Sequence, residues 1–206
     1  MAKIRVLVAD DHALVRMGLV ALLETEDDIQ VVGEADDGAV AVQKALKLKP
    51  DVVIMDLMMP VLDGIAATAE LQRCSPKTKV LILTTTTVTE DIVRAIKAGA
   101  SGAVAKSSDN AWLIDAIRKV ADGKRVVAPE IEKLLAEDPP VSALTGRQTE
   151  ILEAVTRGLT NADIALQLGI SPESVKDHLN AIFSKLGAAN RAEAATIAMR
   201  KHLLKV

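Results

Sequence analysis

Four short apolar runs, far apart in the chain, each end on a residue with oxygen or nitrogen chemistry. Val6-Leu7-Val8-Ala9 leads into Asp10-Asp11, and Val52-Val53-Ile54-Met55 into Asp56. Val80-Leu81-Ile82-Leu83 leads into Thr84, and Ala103-Val104-Ala105 into Lys106. Runs of about four apolar residues have the length of strands buried on both faces of a parallel sheet. Helix-length stretches with apolar residues at roughly 3.6-residue spacing lie between them. In an open α/β sheet, ligands bind beyond the carboxyl ends of the strands. The pattern therefore gathers three carboxylates, a hydroxyl and an ammonium along one rim.

Three neighbouring carboxylates repel one another and require a cation. Hard oxygen donors of this kind suit Mg²⁺. With the rim neutralised, Asp56 can attack an activated phosphoryl group and become an aspartyl phosphate. The Thr84 hydroxyl and the Lys106 ammonium are donors at hand for the new phosphoryl oxygens. Each residue alone has a plainer reading. Asp11 fits as the N-cap of a helix over residues 12–24. Asp56 fits as a solvated strand end, Lys106 as a surface lysine, and Thr84 as part of the polar stretch Thr84-Thr85-Thr86-Thr87. Their joint placement at strand ends is the specific signal.

Three segments carry a family likeness: Val8-Ala9-Asp10-Asp11-His12; Met55-Asp56-Leu57-Met58-Met59-Pro60-Val61-Leu62-Asp63-Gly64; and Ala98-Gly99-Ala100-Ser101-Gly102 with Lys106. Over residues 3–121 the chain resembles the receiver domain of two-component response regulators. The resemblance implies an α/β doubly wound, five-stranded parallel sheet in order 2-1-3-4-5. It implies that Asp56 is the phosphoacceptor and that Asp10, Asp11 and Asp56 hold Mg²⁺, with the Met58 main-chain carbonyl completing the shell. Thr84 would be the switch hydroxyl and Lys106 the phosphate-contacting lysine. The chain departs from the family at Ala103, where an aromatic residue is usual. No Tyr occurs, and the aromatics are Trp112 and Phe183. In the family the ring swings inward as the hydroxyl moves to the phosphate. The expectation here is a switch that runs through packing of the fourth helix or the loop after Thr84.

Beyond residue 121 the pattern breaks at Gly123, Pro129 and Pro139-Pro140. Residues 122–141 read as a linker able to hold a short helix over 130–137. Four helical segments follow, opened by Thr145, Thr160, Ser171-Pro172 and Asn190, with Gly158, Gly169 and Gly187 at stops. The turn Gly169-Ile170-Ser171 between the second and third has the length of a helix-turn-helix, whose second helix enters the major groove. On that helix Val175, Leu179, Ile182 and Leu186 should pack inward. Lys176, Asp177 and Asn180 then face outward, either as a solvated face or as DNA contacts. Lysine suits phosphate or guanine, and asparagine suits adenine. Phosphates repel Asp177, but it can accept from a cytosine amino group, so its expected role is choice of sequence. His178 is open between phosphate contact and packing at the core edge.

Leu144-Thr145-Gly146-Arg147-Gln148-Thr149-Glu150, Gly158-Leu159-Thr160-Asn161-Ala162-Asp163-Ile164-Ala165, Ser174-Val175-Lys176-Asp177-His178-Leu179 and Lys185-Leu186-Gly187 resemble the LuxR-type output domain over residues 142–206. The two departures are Gly146 where proline is common and Ser174 where threonine is common. The whole is similar to the NarL/FixJ class of response regulators: a receiver at 1–121, then a small all-α four-helix helix-turn-helix domain at 142–206. That likeness implies a sensor histidine kinase or small phosphodonor upstream, double-stranded promoter DNA downstream, and a homodimer on activation. It makes Ala194, Ala195 and Ala198 of the last helix, residues 191–201, the dimer face. The alternative is that these residues face the domain's own core.

The bulk numbers agree with this reading. At 206 residues, 50% hydrophobic and 26% charged, the chain suits one or two folded domains. No charged-plus-apolar leader and no long apolar run is visible, so a cytoplasmic protein without membrane contact is expected. The single Cys74 excludes an intramolecular disulfide or a cysteine zinc site. Net charge is −3 overall, yet from residue 142 onward eight basic residues face six acidic ones, a balance of +2. That is weak for phosphate contact, and a dimer would double it. Two rivals are a constitutive DNA-binding regulator with the receiver as dimerisation scaffold, and a phosphohydrolase with an aspartyl nucleophile. The hydrolase needs a carboxylate two residues after the nucleophile, where Met58 stands, so no activity beyond autodephosphorylation is expected.

Overall fold

The apolar runs become strands because helices cover both of their faces. β1 (Ile4–Ala9), β2 (Ile29–Ala35), β3 (Val52–Met55), β4 (Lys79–Thr84) and β5 (Gly102–Ala105) pair in parallel, in order β2-β1-β3-β4-β5. These elements come from a computed structural model that describes residues 3–85 and 88–204. Thr86 and Thr87, part of the expected switch loop, lie outside the described residues. Alternate strand residues feed opposite cores. Val6, Val8, Val52, Ile54, Leu81 and Val104 pack with α1 (Ala13–Glu24) and α5 (Asn110–Ala121) through Leu19, Leu23, Ile114 and Ile117. Leu7, Val53, Met55, Val80 and Ile82 pack on the other side, with α2 (Gly38–Leu48), α3 (Gly64–Cys74) and α4 (Thr89–Lys97).

The sheet continues past the expected fifth strand. β6 (Val126–Val127) pairs in parallel with β5, setting Gly102 against Val126 and Ala103 against Val127. Ala128 N–H donates to the Ala103 carbonyl at 2.9 Å. α6 (Pro129–Glu137) starts on a proline and buries Ile131 in the same core as Ala103. Much of the segment read as a linker over 122–141 is thus receiver structure. Two glycines allow it. Gly123 turns the chain at φ +80, and a Cβ on Gly102 would stand 2.4 Å from the Val126 carbonyl oxygen. The division by contacts falls between Asp138 and Pro139, giving units Met1–Asp138 and Pro139–Val206.

In the second unit, α7 (Gly146–Thr156), α8 (Asn161–Leu168), α9 (Pro172–Leu186) and α10 (Arg191–Arg200) enclose a small core. Thr145 caps α7 and Thr160 caps α8, each in a reciprocal capping box with Gln148 or Asp163. Gly169 and Gly187 end α8 and α9 in left-handed geometry. Among the described residues, no helix is long and apolar enough to cross a membrane.

Candidate functional site

The carboxyl rim of the sheet brings together the residues that the strand ends supply. Asp56 follows β3 directly, and its N–H donates to the Ala9 carbonyl at 2.8 Å, so it lies beside the end of β1. Asp10 and Asp56 are almost wholly buried, at 1% and 4% exposure, while Asp11 is exposed. The Lys106 ammonium reaches between the buried pair, 2.5 Å from Asp10 Oδ2 and 2.8 Å from Asp56 Oδ2. The second contact is a hydrogen bond and the first a close ion pair, so the ammonium partners both buried carboxylates. Thr84 is buried at the end of the neighbouring strand, where its carbonyl accepts from Lys106 N–H at 2.8 Å.

Local backbone fixes this geometry. His12 N–H donates to Asp10 Oδ1 at 2.9 Å, and Arg16 holds the Asp10 carbonyl at 2.6 Å. The N-cap of α1 is His12, without a side-chain cap bond, so Asp11 is not the helix cap. Its carboxylate stays available on the rim, 2.7 Å from His12 Nδ1. After Asp56 the chain turns through Met58 into Asp63, whose side chain caps α3. Gly64 then approaches so closely that a Cβ would stand 2.0 Å from the Asp56 carbonyl oxygen. Spacing alone could mark the Asp-Gly pair but not that approach.

Electrostatics follow from burial and neighbours. Burial raises the Asp56 carboxyl above the ordinary carboxylate range; Lys106 opposes the rise and Asp10 adds to it. Burial works against the Lys106 charge, but Asp10 and Asp56 outweigh it and hold the ammonium above the usual lysine range. Oxygen or nitrogen donors of Asp10, Asp11, His12 and Asp56 lie within 4.8 Å of one another. The three carboxylates form an oxygen donor set that fits a hard divalent cation. Met58 turns its backbone N–H to the Asp56 carboxylate.

Next to Thr84 the rim opens into a cleft of about 330 Å³ lined by Thr84, Thr85, Ala105, Ser107, Glu130, Ile131 and Leu134. One wall is therefore α6. Ser108, in the loop after Lys106, hydrogen-bonds Glu130 of that helix. Ala103, where the family usually carries a ring, is fully buried beside β6, in the core that also holds Ile131 of α6.

In the second unit, Val175, Leu179, Ile182 and Leu186 are buried and Lys176, Asp177 and Asn180 exposed, as helical spacing requires. His178 is half-buried. Lys176 lies 3.7 Å from Glu173, one turn back. Arg147, Lys185, Arg191 and Lys201 each donate to a backbone carbonyl of their own unit, so with Lys176 at least five of the eight cations after residue 142 already have a partner. The expected dimer face needs correction. Ala194 and Ala198 are fully buried in the unit's core and Ala195 is half-buried, while Ala192, Thr196 and Met199 are exposed on α10. Small residues that allow close helix approach serve a core as readily as a dimer.

The sequence family described as "Response regulator receiver domain" matches residues 6–118, and "Bacterial regulatory proteins, luxR family" matches residues 142–198. The chain belongs to the response regulator family. It is 40% identical to the transcriptional regulatory protein LiaR of Bacillus subtilis (strain 168), over 98% of this chain and 99% of that one. Among solved structures it is similar to the response regulator ChrA of a heme-sensing two-component system, at 42% identity, TM-score 0.59, and 99% and 100% coverage of the two chains. It is also similar to the two-component response regulator RcsB in an RcsB–DNA complex, at 25% identity, TM-score 0.73, and 96% and 98% coverage. This response regulator is accordingly of the NarL/FixJ class: a two-component, DNA-binding transcription regulator with a helix-turn-helix output.

Proposed function

We propose that phosphorylation of Asp56 by a sensor histidine kinase drives this response regulator from monomer to dimer and so controls its hold on promoter DNA. The observation that carries the proposal is the Lys106 ammonium seated between Asp10 and Asp56, beside the Thr84 strand end. An Asp56 oxygen attacks phosphorus as the donor's phosphorus–nitrogen bond breaks, and the electron pair leaves on the donor imidazole. Lys106 is already within reach of Asp56 and donates to the new oxygens, and the Thr84 hydroxyl turns toward them. Asp10, Asp11, Asp56 and the Met58 main-chain carbonyl would hold Mg²⁺, which neutralises the rim and the incoming phosphoryl charge. Loss of the phosphoryl to water would reset the switch.

With no ring at Ala103, the change runs through packing of α4 or the loop after Thr84, beside the cleft that Ile131 and Leu134 of α6 line. In the output unit, Lys176, Asp177, Asn180 and the edge of His178 form the groove-facing surface of α9, and Ala192, Thr196 and Met199 replace Ala194 and Ala198 as the α10 surface open to a partner copy.

Sedimentation velocity with and without Mg²⁺ plus beryllofluoride tests the switch. The wild type should pass from monomer to dimer, and Asp56→Asn should not. Unchanged mass in both proteins would favour a constitutive regulator with the receiver as scaffold.

A further inference from the structure

We propose that α6 is a latched switch element of the receiver: Glu130 and Ile131 hold it on β5 and the following loop while Asp56 is unmodified, and the charge gained at Asp56 releases it. The inference rests on the phosphorylation reading above and adds to it a helix that moves and a residue that holds it.

Two kinds of contact hold α6. The first is apolar. Ala128 and Ile131 are buried, and Leu134 and Leu135 pack on the core that contains Ala103. Ala103 presents only a methyl group, so side chains of α6 complete the core there. The second is polar. The Ser108 hydroxyl donates to the Glu130 carboxylate in the first turn of α6. Ser108 stands two residues after Lys106, and its N–H donates to the Ala105 carbonyl at 3.0 Å, so the latch hangs on the turn that carries the lysine. The Lys106 N–H donates to the Thr84 carbonyl at 2.8 Å, which ties the same turn to the end of β4. Thr84, Thr85 and Ser107 share the cleft of about 330 Å³ with Glu130, Ile131 and Leu134. The first turn of α6 therefore rests on the neighbours of the groups that respond to a change at Asp56.

Charge supplies the drive. A phosphoryl group adds about 1.5 to 2 negative charges and repels carboxylates beside it. The first turn of α6 carries Glu130 and Glu132. Glu130 lines the cleft together with Thr84. When Lys106 turns to the new oxygens its turn draws on Ser108, and repulsion at Glu130 acts in the same direction. A helix of nine residues that loses its support is too short to persist alone, so release appears as lost helix.

Hydrogen exchange of the full chain, with and without Mg²⁺ plus beryllofluoride, reads the amides of residues 132–138. Sedimentation velocity on the same samples reads mass, and ¹⁹F NMR reads occupancy of Asp56. In the wild type these amides should exchange about 10-fold faster or more in the beryllofluoride form, and in Asp56→Asn they should not change. Glu130→Ala and Ser108→Ala should exchange fast before any addition. Both should reach half-occupancy at about 5-fold lower beryllofluoride, because a contact made only in the resting state opposes activation. Glu130→Gln keeps an acceptor for Ser108 and removes the charge, so its amides should start slow and accelerate less than in the wild type. Full acceleration in Glu130→Gln would overturn release by charge. Variants that bind beryllofluoride within about 2-fold of the wild type would make the latch a purely structural contact and overturn the proposal. A wild type that dimerises with unchanged exchange at residues 132–138 would remove this inference and leave the phosphorylation reading standing. A wild type that shows no bound beryllofluoride would remove both.

Discussion

Asp56 is held where its own negative charge is disfavoured. Its carboxyl titrates above the ordinary range, first because it is buried, with Lys106 pulling it down and Asp10 pushing it up. A carboxyl whose folded pKa exceeds its unfolded value binds more protons when folded, so ionising it costs stability. The cost is absent below the unfolded value of about 3.9. It grows as pH rises and is complete above the folded value. In chelator-treated protein, Asp56→Asn should therefore gain on the order of 1 kcal/mol at neutral pH, and the gain should fade toward acid. Urea unfolding at several pH values checks this, and equal gains at acid and neutral pH would contradict it. On α9, Lys176 and Asp177 should separate by kind of effect. Lys176→Ala should weaken binding on all sequences and lower the salt slope by about 1, as loss of one phosphate contact requires. Asp177→Ala should instead change the ranking of sites differing at a cytosine. If Asp177→Ala tightens all sites equally, the carboxylate is only repelling phosphate.

At the scale of elements, the segment after α5 is the part that the sequence conceals. β6 is two residues long, and Gly123 and Pro129 on either side carry the marks of a loop. Yet Ala128 and Ile131 are buried in the core that contains Ala103, and Leu134 and Leu135 pack on it. Ile131→Ala should cost the receiver unit about 2–4 kcal/mol, because it leaves a cavity among the buried residues around Ala103. A chemical denaturation loss below about 0.5 kcal/mol would mean that α6 is not part of the cooperative fold. Four of the strands were legible, since four-residue runs with reactive ends have few other uses, while β2 was expected only through the family resemblance. The helix-turn-helix was legible through its caps and its glycines. Three things were not. A strand recruited by register leaves no period. Small residues such as Ala194 and Ala198 fit a core and an interface equally well. A close approach such as that of Gly64 to Asp56 belongs to the folded backbone and not to the pattern.

At the scale of the whole molecule, charge argues for pairing. The second unit carries a balance of +2, and four of its eight cations already donate to its own carbonyls. One output unit therefore has few phosphate contacts to offer, and affinity for DNA rises steeply with their number. Joining two units through their receivers makes the second contact intramolecular, at an effective concentration in the millimolar range. The gain should then depend on the DNA as well as on the protein. On a duplex with two half-sites about 34 Å apart, the beryllofluoride form should bind on the order of 10²-fold tighter than the unmodified protein. On a duplex with one half-site, the same treatment should change affinity by no more than about 2-fold, the factor for a dimer with two chances to land. Asp56→Asn should be flat on both. Fluorescence anisotropy at one salt concentration measures all four cases. An equal gain on the single half-site would mean that the phosphoryl signal uncovers the α9 surface of each chain, and that dimerisation follows DNA binding instead of producing it.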